Sequence, residues 1–215
     1  MISCRSWRST TRMATVALVV VGVAGCSLFQ SRPKLEEPVE LIAVMPIESQ
    51  DTGGAPVAGE PPRIAPGAAR VITAQIYDVL SSSSEWHFVP DLSVVQALSQ
   101  ADTSGDLSLR ARWLGQKVKA DAVLFGTVSR YVERVGAEYG VKQPAAVAIK
   151  LQLLSVKSGT ILWTGSFDQE QQPLSSNLFN WWQFWQGGPK WFTAPEFAHL
   201  AVQRLLEDLQ TRMES

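Results

Sequence analysis

Few side chains of this 215-residue chain have both the type and the spacing that chemistry requires. Its two histidines, His87 and His199, lie far apart in sequence, and an isolated histidine is more often structural than catalytic. The serines at Ser81–Ser84 have no Gly-x-Ser-x-Gly frame around them. Gly53-Gly54 is not followed by the lysine and helix start of a phosphate-binding loop. We therefore expect no catalytic residue, no metal ligands and no cofactor, and a hydrolase is the least favoured interpretation.

Residues 1–25 have the pattern of a secretory signal peptide. Residues 1–12 carry three arginines and no acidic residue, and Met13–Val23 is apolar apart from one threonine. A positively charged start followed by a short apolar run is typical of a signal peptide. The run is shorter than the about 20 apolar residues that span a bilayer, which makes a short membrane anchor the weaker alternative.

The residues around Cys26 give this segment a more specific meaning. Val23-Ala24-Gly25-Cys26 resembles the lipobox of bacterial lipoproteins, in which small residues precede an obligatory cysteine. The resemblance implies cleavage after Gly25 and acylation of Cys26, with palmitate among the acyl chains. Several acyl chains on one residue anchor a protein stably in a membrane. Ser27 stands where an aspartate would favour the inner membrane, which implies an outer-membrane lipoprotein facing the periplasm.

The rest of the chain divides into a tether and one domain. Residues 26–40 are polar and contain two prolines, which predicts a flexible tether, and residues 41–215 predict a single periplasmic domain. The formal net charge of -1 excludes the basic field that non-specific nucleic-acid binding needs. Both cysteines, Cys4 and Cys26, precede the domain, so its fold has no disulfide.

Apolar periodicity in the domain predicts an α+β (α/β-like) fold with the order β-α-β-α-α-β-β-β-α. Polar side chains alternate with apolar ones around Lys150 and Gln152, which indicates a sheet with one wet face. We therefore expect a mixed sheet of about five strands with helices packed mainly on one face. The predicted strands are Leu41–Ile47, Trp86–Val89, Asp121–Val132, Ala145–Val156 and Ile161–Phe167; the predicted helices are Gly67–Leu80, Leu92–Ser99, Leu107–Val118 and Pro195–Arg212.

Three short stretches of the domain resemble a group of bacterial envelope proteins. Leu41–Glu48 is similar to the opening strand of the group, Ala120–Val128 to its central strand, and Ser158–Trp163 to its hairpin turn. The group comprises the curli secretion lipoprotein CsgG, the penicillin-binding-protein activator LpoB and the N-terminal domain of TolB. The resemblance implies a small α/β domain used for assembly and protein contact, without catalytic residues. A pore is disfavoured, because Lys150 and Gln152 interrupt the apolar face that a membrane-inserted hairpin needs.

An aromatic-rich insertion at residues 168–196 separates the last strand from the last helix. Loops of this length inside a compact domain are uncommon and often functional. If the centre of the insertion is helical, three of its tryptophans share one face. That face covers the domain's own sheet, contacts the membrane interface or docks a protein. The candidate binding residues are Phe179, Trp181, Trp182, Phe184, Trp185 and Trp191.

These features lead to two hypotheses about function. The preferred one is a non-catalytic adaptor or assembly factor in cell-envelope biogenesis or secretion, held to the membrane by its lipid and bound to other envelope proteins. The alternative is a periplasmic lipoprotein that binds glycan or lipid through the Trp-rich segment. The sequence leaves the oligomeric state and the identity of the partner open.

Replacing Cys26 by alanine tests the lipoprotein assignment. The Cys26→Ala variant lacks the acylated sulfur, so we expect an uncleaved precursor that no longer incorporates a fatty-acid probe in metabolic labelling. A variant that is still labelled would show that the lipid is attached elsewhere or that the lipobox resemblance is accidental.

Overall fold

The computed structural model describes residues 39–51, 62–82, 87–101, 105–137, 140–171 and 191–214. The chain divides into two units, residues 1–31 and 32–215, and all the described residues lie in the second. Residues 1–38, which include the predicted signal peptide, Cys26 and most of the predicted tether, lie outside the described part of the chain.

Eight strands and four helices form within the described ranges. The strands are β1 (Leu41–Val44), β2 (Glu48–Ser49), β3 (His87–Phe88), β4 (Ala122–Val132), β5 (Val135–Ala137), β6 (Gly140–Gln143), β7 (Ala146–Ser155) and β8 (Ile161–Glu170). The helices are α1 (Ala68–Ser82), α2 (Asp91–Leu98), α3 (Leu107–Val118) and α4 (Ala194–Glu214). All nine predicted elements are present in the predicted order. Strands β2, β5 and β6 lie where the sequence predicts loops.

The main sheet is mixed, which confirms the predicted fold class. Its strand order is β3-β1-β4-β7-β8, and β5 and β6 form a separate two-stranded ribbon. Strand β1 is parallel to both β3 and β4, whereas β4, β7 and β8 form an antiparallel meander. Strand β2 continues beside β4 beyond β1, and Pro46 falls in the break between the two short strands. Proline has no backbone N–H to donate to a neighbouring strand. The break between β1 and β2 at Pro46 therefore loses no hydrogen bond from this residue.

The helices are shared between the two faces of the sheet rather than packed mainly on one. Helices α1 and α4 cover one face in a large core that includes Leu124 and Val128 of β4. Helices α2 and α3 cover the other face in a smaller core that includes Val123 and Phe125. Successive residues of a strand point to opposite faces, so the continuous apolar run of β4 needs cover on both sides. The alternation of polar and apolar residues in β7 predicted helices on one face only. It marks a water-exposed face only around Lys150.

Within the described residues, no helix covers the second face beyond the reach of α3. There Lys150 of β7 lies beside Thr127 of β4 and Ser166 of β8, and Lys150 and Ser166 are exposed. The wet face predicted around Lys150 and Gln152 is therefore present, but over part of the sheet only.

Local hydrogen bonds set the ends of the helices. Asp106 caps α3 as its sequence position suggests: its carboxylate accepts from the Ser108 backbone N–H at 3.0 Å. Hydrogen bonds from the Ser108 side chain and backbone lower the pKa of Asp106. The predicted stripe of α4 is buried: Ala198, Val202, Leu205 and Leu209 all lie in the large core.

Two tyrosines face the interior in different ways. The Tyr77 hydroxyl donates to the Val44 carbonyl at 3.1 Å, whereas the Tyr131 hydroxyl is buried with no hydrogen-bond partner in the described structure. Burial, assisted by the charge of Asp91 near Tyr77 and of Glu133 near Tyr131, raises the pKa of each phenol to about 12. Because the folded pKa is raised, the stability that these groups contribute is complete below pH 10 and is lost as the pH rises towards 12.

Replacing the two tyrosines by phenylalanine separates a paired from an unpaired buried hydroxyl. Tyr77→Phe removes a hydrogen bond and leaves the Val44 carbonyl without it, so we expect a loss of about 1 kcal/mol in the free energy of unfolding. Tyr131→Phe removes a hydroxyl that has no partner in the described structure, so we expect no loss or a small gain. Urea unfolding of both variants near pH 7 makes the comparison. An equal loss in both would show that Tyr131 is hydrogen-bonded in solution.

Candidate functional site

The structure describes one of the six candidate binding residues. Trp191 is half-buried and lies three residues before α4. Phe179, Trp181, Trp182, Phe184 and Trp185 lie outside the described residues, as does Cys26. The ends of the predicted insertion are regular structure, since Asp168 belongs to β8 and Glu196 to α4.

Hydrogen bonds hold the two ends of the undescribed stretch, residues 172–190, next to each other. The Gln171 backbone N–H donates to the Ala145 carbonyl at 2.9 Å, at the start of β7. The Gln171 side-chain oxygen accepts from the Phe192 backbone N–H, also at 2.9 Å. The Gln171 side chain is almost fully buried, so this link is shielded from water. The Trp-rich segment is therefore attached to the domain at a fixed base.

The residues that follow β4 reinforce this base. Arg134 donates a hydrogen bond from its guanidinium to the Trp191 carbonyl. The Glu133 carboxylate accepts from the Ala194 backbone N–H at 3.4 Å, at the first residue of α4. These contacts join positions that are far apart in the chain, so they depend on the tertiary fold.

A capping box begins α4 immediately after the base. The Thr193 hydroxyl accepts from the Glu196 backbone N–H at 3.4 Å, and the Glu196 carboxylate accepts from the Thr193 backbone N–H at 2.8 Å. Phe192 packs against the large core, which contains Phe197 in the first turn of the helix. Phe197 also meets Phe167 edge to face, with ring centroids 5.5 Å apart. The chain direction on leaving the insertion is therefore fixed.

A shallow groove lies between α1 and the first turns of α4, beside the base. Its volume is about 420 Å3, and its walls are almost wholly apolar. The Gln75 amide nitrogen donates to the Pro195 carbonyl at 2.8 Å. The Gln75 side-chain oxygen is buried and has no hydrogen-bond partner in the described structure. The groove is lined by Gln75, Phe192, Pro195, Glu196, His199 and Leu200.

The uncovered part of the sheet carries ion pairs. Arg130 of β4 pairs with Asp168 and, at 3.8 Å, with Glu170 of β8. Arg110 of α3 pairs with Glu48 at 2.6 Å. These side chains are partly exposed, and such pairs contribute at most about 1 kcal/mol each. They make this surface polar.

Exposed apolar side chains occur on the helices of the second face. Leu92 and Val95 of α2 are 75% and 57% exposed, and Leu109 of α3 is 66% exposed. Leu92 and Val95 are spaced i, i+3, so they share one side of α2. The exposed residues Leu92, Val95 and Leu109 are together called the α2–α3 apolar surface.

Neither a metal site nor a membrane span occurs among the described residues. No three His, Cys, Asp or Glu side chains in that part of the chain are grouped to hold a metal ion. None of the described helices has the length and apolarity to cross a membrane. His87 is exposed on β3, and His199 is half-buried in the groove on α4.

One family model matches part of this chain. Residues 69–168 match the model of the peptidoglycan-synthase activator LpoB. The match covers just under half of the chain and runs from α1 to Asp168 of β8. It supports the LpoB part of the resemblance noted in the sequence. A search of curated proteins gave no match.

A search of solved structures matched, among others, the following three bacterial proteins. The LpoB C-terminal domain from Salmonella enterica is 19% identical, with 64% of this chain and 88% of that chain covered and a TM-score of 0.41. The PelC dodecamer from Paraburkholderia phytofirmans is 15% identical, with 80% and 87% covered and a TM-score of 0.44. Lipoprotein GNA1162 from Neisseria meningitidis is 20% identical, with 61% and 83% covered and a TM-score of 0.44. None of these three proteins is CsgG or TolB.

The base of the insertion was missed at the sequence level. One signal was available, since Thr193-x-x-Glu196 is a capping-box pattern and marks the start of α4. Nothing in the sequence connects Gln75 or Arg134 to the insertion, because both lie far from Trp191 along the chain.

Removing the capping hydroxyl should loosen the base. We expect Thr193→Ala to lower the free energy of unfolding by about 1 kcal/mol and to speed hydrogen exchange in the first turn of α4. Thr211→Ala, which changes the same atoms near the other end of the helix, is the matched control and should leave that first turn protected. Equal exchange in both variants would show that the capping box does not hold the base.

Proposed function

We propose that this protein is an outer-membrane lipoprotein that acts without catalysis of its own, by binding and activating a peptidoglycan synthase in the periplasm. The observation that carries the proposal is the match of residues 69–168 to the LpoB family model. An activator alters the catalysis of another protein, so it needs a contact surface rather than catalytic groups. The sequence-level absence of a catalytic frame agrees with this role.

The proposed lipid anchor sets how far the domain can reach. Acylation of Cys26 would hold the tether at the outer membrane, and Ser27–Glu40 spans at most about 46 Å when extended. The start of the domain at Leu41 would then lie within about 46 Å of the outer membrane.

The α2–α3 apolar surface is the contact surface that we propose for the partner. It lies within the residues that match LpoB, and it exposes Leu92, Val95 and Leu109 to solvent. Large side chains in such positions lower the free energy of a complex when a partner covers them. Helices α2 and α3 pack on the sheet through other residues, Val94 and Ala111 among them, so the exposed side chains can change without opening the core.

Reconstitution tests the proposal. Full-length lipoprotein is mixed with a peptidoglycan synthase from the same envelope, and glycan polymerisation from lipid-linked precursor is followed. We expect the rate to rise several-fold with the wild-type protein. The double variant Leu92→Ser, Val95→Ser should lose most of that rise, because it removes the apolar contacts while leaving Val94 and Ala97 buried.

Gln96→Ala on the same helix is the matched control, since Gln96 is exposed and polar. It should activate like the wild type. Activation that is unchanged in the double variant would place the contact elsewhere. No activation of any synthase, together with saturable binding of glycan fragments or lipid, would favour the glycan- or lipid-binding alternative instead.

A further inference from the structure

Hydrogen bonds bring three distant parts of the chain together where the tether enters the domain. The Leu41 backbone N–H donates to the Asp121 carboxylate at 2.9 Å, and the Asp121 backbone N–H donates to the Leu41 carbonyl at 2.9 Å. The Asp121 carbonyl accepts from the Val156 backbone N–H, also at 2.9 Å. The start of β1, the end of α3 and the β7–β8 turn therefore lie side by side. Leu41, residues 117–121 and residues 156–160 are together called the tether end.

The tether end carries three exposed lysines. Lys117 lies in the last turn of α3, Lys119 is the C-cap residue of that helix, and Lys157 lies in the β7–β8 turn. None of the three forms an ion pair within the described residues. Cations are favourable at the C-terminus of a helix, which would account for Lys117 and Lys119. Lys157 belongs to no helix, so the helix dipole does not account for it.

Arg112 holds the β7–β8 turn against α3. Its guanidinium donates to the Val156 and Lys157 carbonyls, both at 3.3 Å. Gly159 permits this approach, because a Cβ at that position would lie 2.9 Å from an Arg112 nitrogen. The lysine of the turn and the lysines of the helix are therefore kept at one corner of the domain.

Acidic side chains offset only part of this positive charge. Glu40 and Asp121 lie at the same end, against three lysines and Arg112. The Asp121 carboxylate already accepts from the Glu40 and Leu41 backbone N–H groups, at 3.1 and 2.9 Å. Glu207 is exposed on α4, which covers the other face of the sheet. The α3 side of the tether end is therefore positive, although the chain as a whole carries a formal net charge of -1.

The proposed lipid anchor would bring a membrane to this end of the domain. Acylated Cys26 would lie in the bilayer, and the tether enters the domain at Leu41, beside the lysines. A short linker raises the effective concentration of the groups that it joins to about the millimolar range, so a weak attraction is enough for contact. Near an anionic membrane surface, each lysine or arginine shifts the binding equilibrium about fivefold.

We propose that Lys117, Lys119 and Lys157 bind the phosphate headgroups of anionic phospholipids in the membrane that holds the lipid anchor. The domain then rests on that membrane by its tether end. Leu109 lies about 12 Å from Lys117 along the axis of α3, so this residue of the α2–α3 apolar surface stays clear of the headgroups. The inference rests on the proposed acylation of Cys26 and is independent of the synthase-activating role.

Acetylation of lysines in the full-length lipoprotein tests this contact. The purified protein is reconstituted in vesicles of phosphatidylcholine, with or without phosphatidylglycerol, and is treated with a membrane-impermeant acetylating reagent. Mass spectrometry follows each lysine. We expect Lys117, Lys119 and Lys157 to react several-fold more slowly when phosphatidylglycerol is present. Lys142 and Lys150, which are exposed farther along the sheet, are internal controls and should react equally in both kinds of vesicle.

Salt distinguishes an electrostatic contact from general burial. At about 1 M salt the screening length falls to about 3 Å, so the three lysines should then react equally in both kinds of vesicle. This comparison uses the wild-type protein and depends on no variant.

Two matched double variants separate this site from general attraction of positive charge. Lys117→Gln, Lys157→Gln should lower the ratio of docked to free domain about 25-fold, since two of the three lysines are lost. Lys119 remains as the probe and should react as fast as it does in phosphatidylcholine alone. Lys142→Gln, Lys150→Gln removes the same charge farther along the sheet and should leave Lys119 protected. All four replaced lysines are exposed, and circular dichroism checks that both variants fold.

Three results would overturn the proposal. One is equal reactivity of Lys117, Lys119 and Lys157 in both kinds of vesicle, in a protein whose mass shows acylation of Cys26; the anchor would then stand without the contact. Another is protection that persists at high salt or rises with protein concentration, which would assign the lysines to a second copy. The third is a protein whose mass shows no acyl chains, which would contradict the proposed anchor as well.

Discussion

The two-sided burial of strand β4 is the constraint on which the rest of the domain depends. Its alternate residues enter different cores, with Leu124 facing α1 and α4 and Phe125 facing α2 and α3. It also joins the parallel half of the sheet, through β1, to the antiparallel half, through β7. Gly126 permits this pairing, because a Cβ at that position would lie 2.1 Å from the Lys150 carbonyl. A side chain there would push β7 away and loosen both cores.

The base of the aromatic insertion depends on the far end of the same strand. Residues Glu133 and Arg134 follow β4 and bind the backbone on either side of Thr193. Strand β7 begins beside the Ala145 carbonyl that holds Gln171. The antiparallel pair β4–β7 thus fixes both ends of residues 172–190, while α1 and α4 form the groove beside them. The strands that build the core therefore also hold the residues at both ends of this segment.

A protein that works by contact needs surfaces, and the described part of this domain has three that differ in chemistry. The part of the sheet without a helix over it carries ion pairs. Such exposed pairs contribute little free energy, because each charge gives up contact with water to meet its partner. The α2–α3 apolar surface offers exposed leucine and valine side chains, and the groove offers apolar walls. Apolar area contributes more to the free energy of association than exposed ion pairs do, so the second and third surfaces are the better candidates for binding.

The sequence by itself determined the order of the helices and strands, most of the positions where they begin and end, and the proposed location of the protein. Periodicity in α4 and the cap at Asp106 were sufficient, because both depend on residues within a few positions of each other. The lipobox around Cys26 is equally local. Only the tertiary structure decided that α2 and α3 cover the second face, since the alternation at Lys150 describes one stretch of one strand. It alone also brought Gln75 and Arg134 to the insertion, because hydrogen bonds between such distant positions follow from strand and helix packing and leave no periodic signal in the chain.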